Sequence, residues 1–239
     1  MRRVLFGEPG GGKGLVALCA AAMVAEGKCQ VAFLSKDPIL TEQRYAFAQP
    51  LLEAADLVAR KVDRLDATSR EALKKGQVHV VFGGLELLQP KVEYRRLGLV
   101  IVDDDDGEVT ELVDKRPSPT PDVLVVPTGT PSVGQLVAGW PGYFMSYLKG
   151  LERPNVVVKP ANQRVSAYAQ ARHALLEQRQ VAVLFPLIEN RDALDPTEAS
   201  RVMKALSTDA LPGAKLKLYH GAMPREDRVQ AYQDFRHRR

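Results

Sequence analysis

The sequence has few of the residues that hold small secreted proteins or metal centres together. Its two cysteines, Cys19 and Cys29, exclude a disulfide-rich scaffold and a four-cysteine zinc site. No histidine stands at ligand spacing from another histidine or from a cysteine; the four are His79, His173, His220 and His237. No apolar run reaches the ~18 residues of a membrane span. The first residues lack an apolar segment of signal-peptide length, so we expect a cytoplasmic protein without a membrane partner.

Strong charge of either sign is also absent. Lysine and arginine number 33 against 29 acidic residues, which leaves a net charge of +4. Such a mild excess does not by itself demonstrate a polyanionic partner. With 45% hydrophobic and 26% charged residues, the composition excludes a disordered chain and is typical of a folded protein. The length of 239 residues suffices for one large domain or two small ones.

Short apolar runs recur at the intervals of β-α units. Runs of this kind, without polar alternation, are typical of parallel strands that are buried on both faces. Between them, an alanine- and leucine-rich stretch from Lys13 to Glu26 predicts a helix that ends before Gly27. Residues 68–71 have the pattern of a capping box that begins a helix ending near Gly76. The sequence therefore predicts an α/β fold, a parallel sheet flanked by helices. The expected strands lie at 4–6, 31–34, 78–82, 99–102 and 123–126.

The regular spacing of the apolar runs ends near residue 150, and a shorter series of such runs follows. We place a domain boundary there, which gives a first domain over 1–150 and a second over 151–239. A helix from about Arg164 to Arg179 is expected in the second domain. Its expected strands are only three, so this domain is predicted to be incomplete. They lie at 156–158, 181–185 and 216–219.

A glycine-rich loop follows the first expected strand and precedes the first expected helix. Its sequence, GEPGGGKG, fits the phosphate-loop pattern G-x-x-x-x-G-K. A loop in this position aims backbone N–H groups and a helix N-terminus at phosphates, and Lys13 would reach the outer phosphates. Gly14 stands where a serine or threonine hydroxyl normally binds Mg²⁺. The predicted nucleotide-binding residues are Gly7, Gly10, Gly11, Gly12, Lys13 and Gly14.

Two alternatives to the phosphate loop stay open. The segment could be a glycine-rich turn with an incidental lysine. It could also be a dinucleotide fingerprint, but Leu15 stands where the third glycine of that pattern belongs.

Four consecutive aspartates, at positions 103–106, follow the fourth expected strand. The carboxyl ends of parallel strands share the edge at which the glycine-rich loop lies, and ligands bind at that edge. An aspartate there can hold Mg²⁺, and a neighbouring carboxylate can orient an attacking water. An acidic turn exposed to solvent is the alternative. Loop and carboxylates together favour a nucleotide site.

Residues 83–103, GGLELLQPKVEYRRLGLVIVD, resemble the motor core of bacterial RecG-type DNA helicases of superfamily 2. That family shows G-T-H-A-L-I-Q, then V-x-F-x-x-L-G-L-V, then D-E-x-H. Further matches at 39–43, 185–189, 220–223 and 235–236 follow the family's order over nearly the whole chain. The motifs are closer to RecG than to the transcription-repair coupling or primosomal helicases.

The resemblance implies two RecA-like lobes, the second partial, with ATP and Mg²⁺ between them. It implies an ATP-driven motor that acts on branched or single-stranded DNA in repair and recombination. Asp103 matches the family's Mg²⁺ aspartate, and Gly12 and Lys13 match its phosphate loop. Thr128 and Thr130 fall on T-A-T-P, whose threonines couple the state of ATP to the DNA-binding face.

The departures from the family pattern fall at the positions that bind Mg²⁺ and orient the attacking water. Gly14 replaces the Mg²⁺-binding threonine. Asp104, the candidate catalytic residue, replaces the glutamate that orients water, and Asp106 replaces a histidine that links motifs. A carboxylate misplaced by ~1 Å can cost ~100-fold in rate.

The sequence also lacks the family's wedge domain and its arginine-finger motifs, whose loss can cost about 10³–10⁵-fold in rate. A separate chain that carries these parts and a truncated gene stay open as alternatives. We therefore expect impaired ATP hydrolysis. The alternatives are a catalytically inactive nucleotide- or DNA-binding pseudo-helicase module and an unrelated P-loop or dinucleotide-binding domain.

Overall fold

The computed structural model describes residues 1–103, 108–116, 119–128, 131–149, 155–184, 196–220 and 223–238. The chain divides into two compact units, Met1–Arg153 and Pro154–Arg239. Among the described residues, no helix combines the length and the apolar character needed to cross a bilayer.

The first unit is built on a parallel sheet of seven strands, which confirms the α/β fold expected from the sequence. Neighbouring strands follow the order β3-β4-β2-β5-β6-β1-β7. Four of the strands contain an expected apolar run, and the fifth, β4, begins two residues after the start of the run expected at 78–82. β3 and β7, at the two edges, were not expected. The strands are β1 (Arg2–Gly7), β2 (Gln30–Ser35), β3 (Ala59–Lys61), β4 (Val80–Gly83), β5 (Leu97–Asp103), β6 (Asp122–Val126) and β7 (Phe144–Leu148).

Helices cover both faces of this sheet. Successive residues of β2 belong to two hydrophobic clusters on opposite faces of the sheet. Val31 and Phe33 lie in one cluster, and Ala32 and Leu34 lie in the other. Because successive side chains of a strand point to opposite faces, both faces must be apolar, which explains the continuous apolar runs. The helices are α1 (Lys13–Glu26) and α2 (Pro38–Glu53) against one cluster, and α3 (Ala67–Lys74), α4 (Glu108–Asp114) and α5 (Val133–Gly139) against the other.

Local signals explain where several helices begin and end. The Asp37 carboxylate accepts a hydrogen bond from the Ile39 N–H at 2.8 Å, and Pro38 occupies the first turn of α2. Helix α3 begins at Ala67 and is capped by Asp66, whose carboxylate accepts from the Ser69 N–H at 2.7 Å. The capping box expected at 68–71 is therefore wrong, because the aspartate two residues earlier caps the helix.

The regular secondary structure described in the second unit is helical, and residues 155–160, 181–184 and 214–220 form neither helix nor strand. The helix expected from Arg164 is confirmed as α6 (Arg164–Leu176), and α7 (Pro196–Ala205) and α8 (Arg225–Arg236) follow. The strands expected at 156–158 and 216–219 are wrong, as is the described part of the one at 181–185. Val158 is 91% exposed and Leu184 is 88% exposed. Apolar sequence favours an extended chain, but a strand also needs a neighbour that bonds its backbone groups.

Candidate phosphate-binding site

The glycine-rich loop joins β1 to the N-terminus of α1, as expected from the sequence. Gly10 (φ +77°) and Gly12 (φ +87°) adopt left-handed backbone conformations that residues with side chains rarely tolerate. Helix α1 has 14 residues, and its first turn carries no acidic side chain. The positive end of a helix dipole therefore faces the loop without a competing carboxylate from that turn, an arrangement that favours bound anions.

Lys13 folds back over this loop. Its Nζ donates hydrogen bonds to the carbonyl oxygens of Gly7 at 2.7 Å and Glu8 at 3.3 Å. Burial lowers the pKa of the Lys13 ammonium, the positive charge of Arg44 lowers it further, and the carboxylate of Asp103 opposes this by raising it. Lys13 therefore interacts electrostatically with both Arg44 and Asp103.

Asp103 ends β5 at the same edge of the sheet and is only 4% exposed. Arg44 reaches it from α2: Nε donates to Oδ2 at 2.5 Å, and Nη2 donates to Oδ1 at 3.1 Å. Both carboxylate oxygens therefore bind one guanidinium in the two-pronged geometry that arginine and carboxylates favour. Sequence reasoning missed Arg44, because the contact joins residues 59 positions apart.

The guanidinium of Arg44 also lies against the first turn of α1. A Cβ atom placed on Gly14 would lie 2.7 Å from Arg44 Nη1 and 3.5 Å from its Cζ. Gly14 thus provides the space that the arginine occupies. A threonine at this position could not keep its Cβ there unless the arginine moved.

The described residues do not fit the Mg²⁺ that the RecG resemblance implies. Gly14 offers no hydroxyl ligand, and both oxygens of Asp103 accept from Arg44. Within the part of the chain that the structure describes, no group of three histidine, cysteine or acidic side chains could hold a metal ion.

The remaining predicted site residues divide between described and undescribed positions. Asp104 and Thr130 lie outside the described residues. Thr128 is exposed and follows β6, so it lies at the same edge of the sheet as the loop and Asp103. The structure thus brings the loop, Lys13, Asp103 and Thr128 to one edge.

No family model matches the chain. The RecG helicase of Acidithiobacillus ferridurans is 29% identical over 253 residues, which cover 98% of this chain and 36% of that protein. The RecG helicase of Streptococcus pneumoniae is 29% identical over 256 residues, 100% of this chain and 37% of its own length. The chain therefore spans somewhat more than a third of these relatives, and the RecG resemblance of its motifs is confirmed over its full length.

The solved structure of RecG bound to a three-way DNA junction shares the fold. It superimposes with a TM-score of 0.69, covering 98% of this chain and 31% of the RecG chain, at 22% sequence identity.

Proposed function

We propose that the first unit binds the phosphates of ATP through the loop of residues 7–14, as the nucleotide-binding part of a RecG-like motor core. The observation that carries the proposal is the placement of Lys13. Its ammonium lies across a loop of left-handed glycines that leads directly into a helix N-terminus. This is the arrangement of N–H groups, dipole and cation that recognises polyphosphates.

DNA is the partner that the comparisons support. The curated relatives are named ATP-dependent DNA helicases, and the solved RecG structure contains a three-way DNA junction. We propose that this chain acts on branched or single-stranded DNA in repair and recombination. Thr128 and Thr130 are the proposed residues that couple nucleotide binding to the DNA-binding face, and Asp104 is the proposed water-orienting carboxylate.

A second candidate function is a pseudo-helicase module that binds nucleotide and DNA with little turnover. The observation that favours it is the contact between Arg44 and Asp103, beside a glycine at position 14. Phosphoryl transfer depends on precise positioning and on stabilising the charge of the transition state. A site without the usual metal ligands should bind phosphates better than it transfers them.

Calorimetric titration with ATP and ADP tests nucleotide binding. The wild-type chain should bind both weakly, and Lys13→Ala should abolish binding. Lys28→Asn is the matched control, because Lys28 is exposed at the opposite edge of the sheet and asparagine tolerates its φ of 62°. Equal affinity in Lys13→Ala and the wild type would remove the phosphate-loop assignment.

Phosphate release with and without branched DNA separates the motor from the pseudo-helicase. The expected result is DNA-stimulated release near background. Robust turnover by the wild-type chain, lost in Lys13→Ala, would exclude the pseudo-helicase and establish the motor.

A further inference from the structure

We propose that the guanidinium of Arg44 takes the place of the magnesium ion in this site. The loop of residues 7–14 would then bind a nucleoside di- or triphosphate without a divalent metal. This inference rests on the nucleotide binding proposed above and adds how the phosphates are held.

Asp103 is buried and needs a positively charged partner. Its side chain is 5% exposed, and a carboxylate so removed from water needs a charged, hydrogen-bonded partner. Arg44 supplies both, since arginine carries a positive charge and paired N–H donors. A metal ion at this carboxylate would have to break two hydrogen bonds, of 2.5 and 3.1 Å, and displace a positive charge.

Gly14 leaves room for the guanidinium of Arg44. The Cβ of any larger residue here would lie 2.7 Å from Arg44 Nη1. The metal-binding hydroxyl of a threonine and the guanidinium of Arg44 therefore compete for the same space beside α1. In this chain the glycine leaves that space to the arginine, so one residue removes a metal ligand and admits a cation.

Arg44 has more N–H donors than its contacts with Asp103 use. A guanidinium carries five N–H groups in a fixed plane. The contacts with Asp103 use the one on Nε and one on Nη2. Two on Nη1 and one on Nη2 remain, and Nη1 is the atom nearest to Gly14 at the start of α1.

Nη1 lies beside Gly14 in the first turn of α1, the helix whose N-terminus would hold a loop-bound phosphate. The Arg44 side chain is 34% exposed, which leaves it accessible to a ligand. Lys13, Arg44 and Asp103 together carry one net positive charge. Arginine binds phosphate oxygens through paired N–H groups, the same way it binds carboxylates.

A specific behaviour towards magnesium follows. In a metal-assisted site, Mg²⁺ strengthens nucleotide binding because it links phosphate to protein. Here the described residues offer no cluster of side chains that could hold Mg²⁺, and the ion would neutralise the phosphates in solution. The free nucleotide should therefore bind at least as tightly as its magnesium complex.

The test is calorimetric titration of the whole chain with ADP, in excess EDTA and in excess Mg²⁺. The wild type should bind in EDTA at least as tightly as in Mg²⁺. Arg44→Gln should weaken binding in EDTA about tenfold or more, the usual worth of a charge-assisted hydrogen bond. Arg96→Gln is the control: it loses the same charge from an exposed side chain at the opposite edge of the sheet and should bind like the wild type.

Two double variants guard against misfolding and test the exchange directly. Arg44→Gln/Asp103→Asn replaces the ion pair by two amides, so no buried charge is left unpaired, and it should show the same loss in EDTA. Gly14→Thr/Arg44→Ala restores the hydroxyl and frees Asp103, so its affinity should become higher in Mg²⁺ than in EDTA. Thermal unfolding followed by circular dichroism checks that each variant is folded.

The outcomes separate this inference from the proposed function. Wild-type binding that requires Mg²⁺ would overturn the role of Arg44 and leave the phosphate loop intact. Unchanged affinity in a folded Arg44→Gln/Asp103→Asn variant would overturn that role too. No binding in either solution would overturn the proposed function, and this inference with it.

Discussion

A Cβ atom on Gly7 would lie 2.1 Å from the carbonyl oxygen of Leu148. The two residues end the neighbouring parallel strands β1 and β7 and lie opposite each other in the register. The glycine-rich loop therefore begins where β1 touches β7, the edge strand of the sheet. Only glycine permits this approach, because the contact is with backbone that cannot rotate away.

Gly7→Ala should lower the free energy of unfolding by about 2–3 kcal/mol, because the clash adds to the strain of φ +155°. Urea unfolding measures the change. Gly134→Ala is the control: it lies in α5 with no atom within 4 Å of its Cβ position, and it should gain about 0.5–1 kcal/mol of helix propensity. Equal stability of the two variants would mean that β1 and β7 are not this close.

Gln30→Leu should cost about 2–3 kcal/mol, because it leaves buried backbone groups without their partner. The Gln30 amide nitrogen donates to the carbonyls of Leu73 at 3.0 Å and Val78 at 2.9 Å, and its oxygen accepts from the Arg96 N–H at 3.2 Å. Gln77→Leu, at an exposed position, should change stability by less than about 0.5 kcal/mol. Chemical denaturation measures the free energy of unfolding of both variants. Similar losses of stability would show that the hydrogen bonds of Gln30 contribute little.

Nucleotide binding at alkaline pH should be coupled to proton uptake by Lys13. Burial lowers the pKa of Lys13 from 10.5 in the ligand-free protein, and bound phosphates would raise it again. Affinity should therefore fall as pH rises through the lowered pKa. The stability of the ligand-free protein should rise over the same window, up to 10.5, because the unfolded chain binds more protons there.

Calorimetry in buffers of different ionisation enthalpy measures this proton uptake directly. Lys13→Arg keeps the positive charge but does not titrate in this range, so its binding should proceed without uptake. Uptake of the same size in Lys13→Arg would assign the proton to another group.

Binding of the chain to branched DNA should fall steeply with salt, in proportion to the number of phosphates that lysine and arginine neutralise. Fluorescence anisotropy at increasing salt gives the slope. Lys13→Ala should retain the binding, because the phosphate loop contacts nucleotide rather than DNA in the proposed function. No binding at low salt would count against the helicase proposal.

Five of the seven strands could be predicted because both of their faces are buried, which leaves a continuous apolar run. The edge strands could not. β3 consists of Ala-Arg-Lys, and in β7 Phe144 is 63% and Tyr147 is 54% exposed. An edge strand is held by backbone hydrogen bonds to one neighbour, and its side chains need not form an apolar pattern. In β3 two of the three residues are charged, so the hydropathy of this segment does not indicate a strand.

The candidate site likewise has a part that the sequence indicates and a part that it does not. The loop is local in sequence, so glycine spacing and one lysine were enough to place it. Arg44 lies in the middle of α2, and nothing near it in the sequence indicates Asp103 as its partner. The sequence showed that a metal ligand was missing at position 14, and only the structure shows which group takes up the space.

The strand order also determines how late in synthesis the strand that precedes the glycine-rich loop can pair. Strands β3, β4, β2 and β5 are adjacent in the sheet and come from one continuous stretch of chain. β1 is made before all of them, yet it pairs only with β6 and β7, more than a hundred residues later. Contacts so distant in sequence form slowly. A growing chain can therefore form β2, β3, β4 and β5 before β1 pairs with β6 and β7. The loop of residues 7–14 takes its final shape only after that pairing.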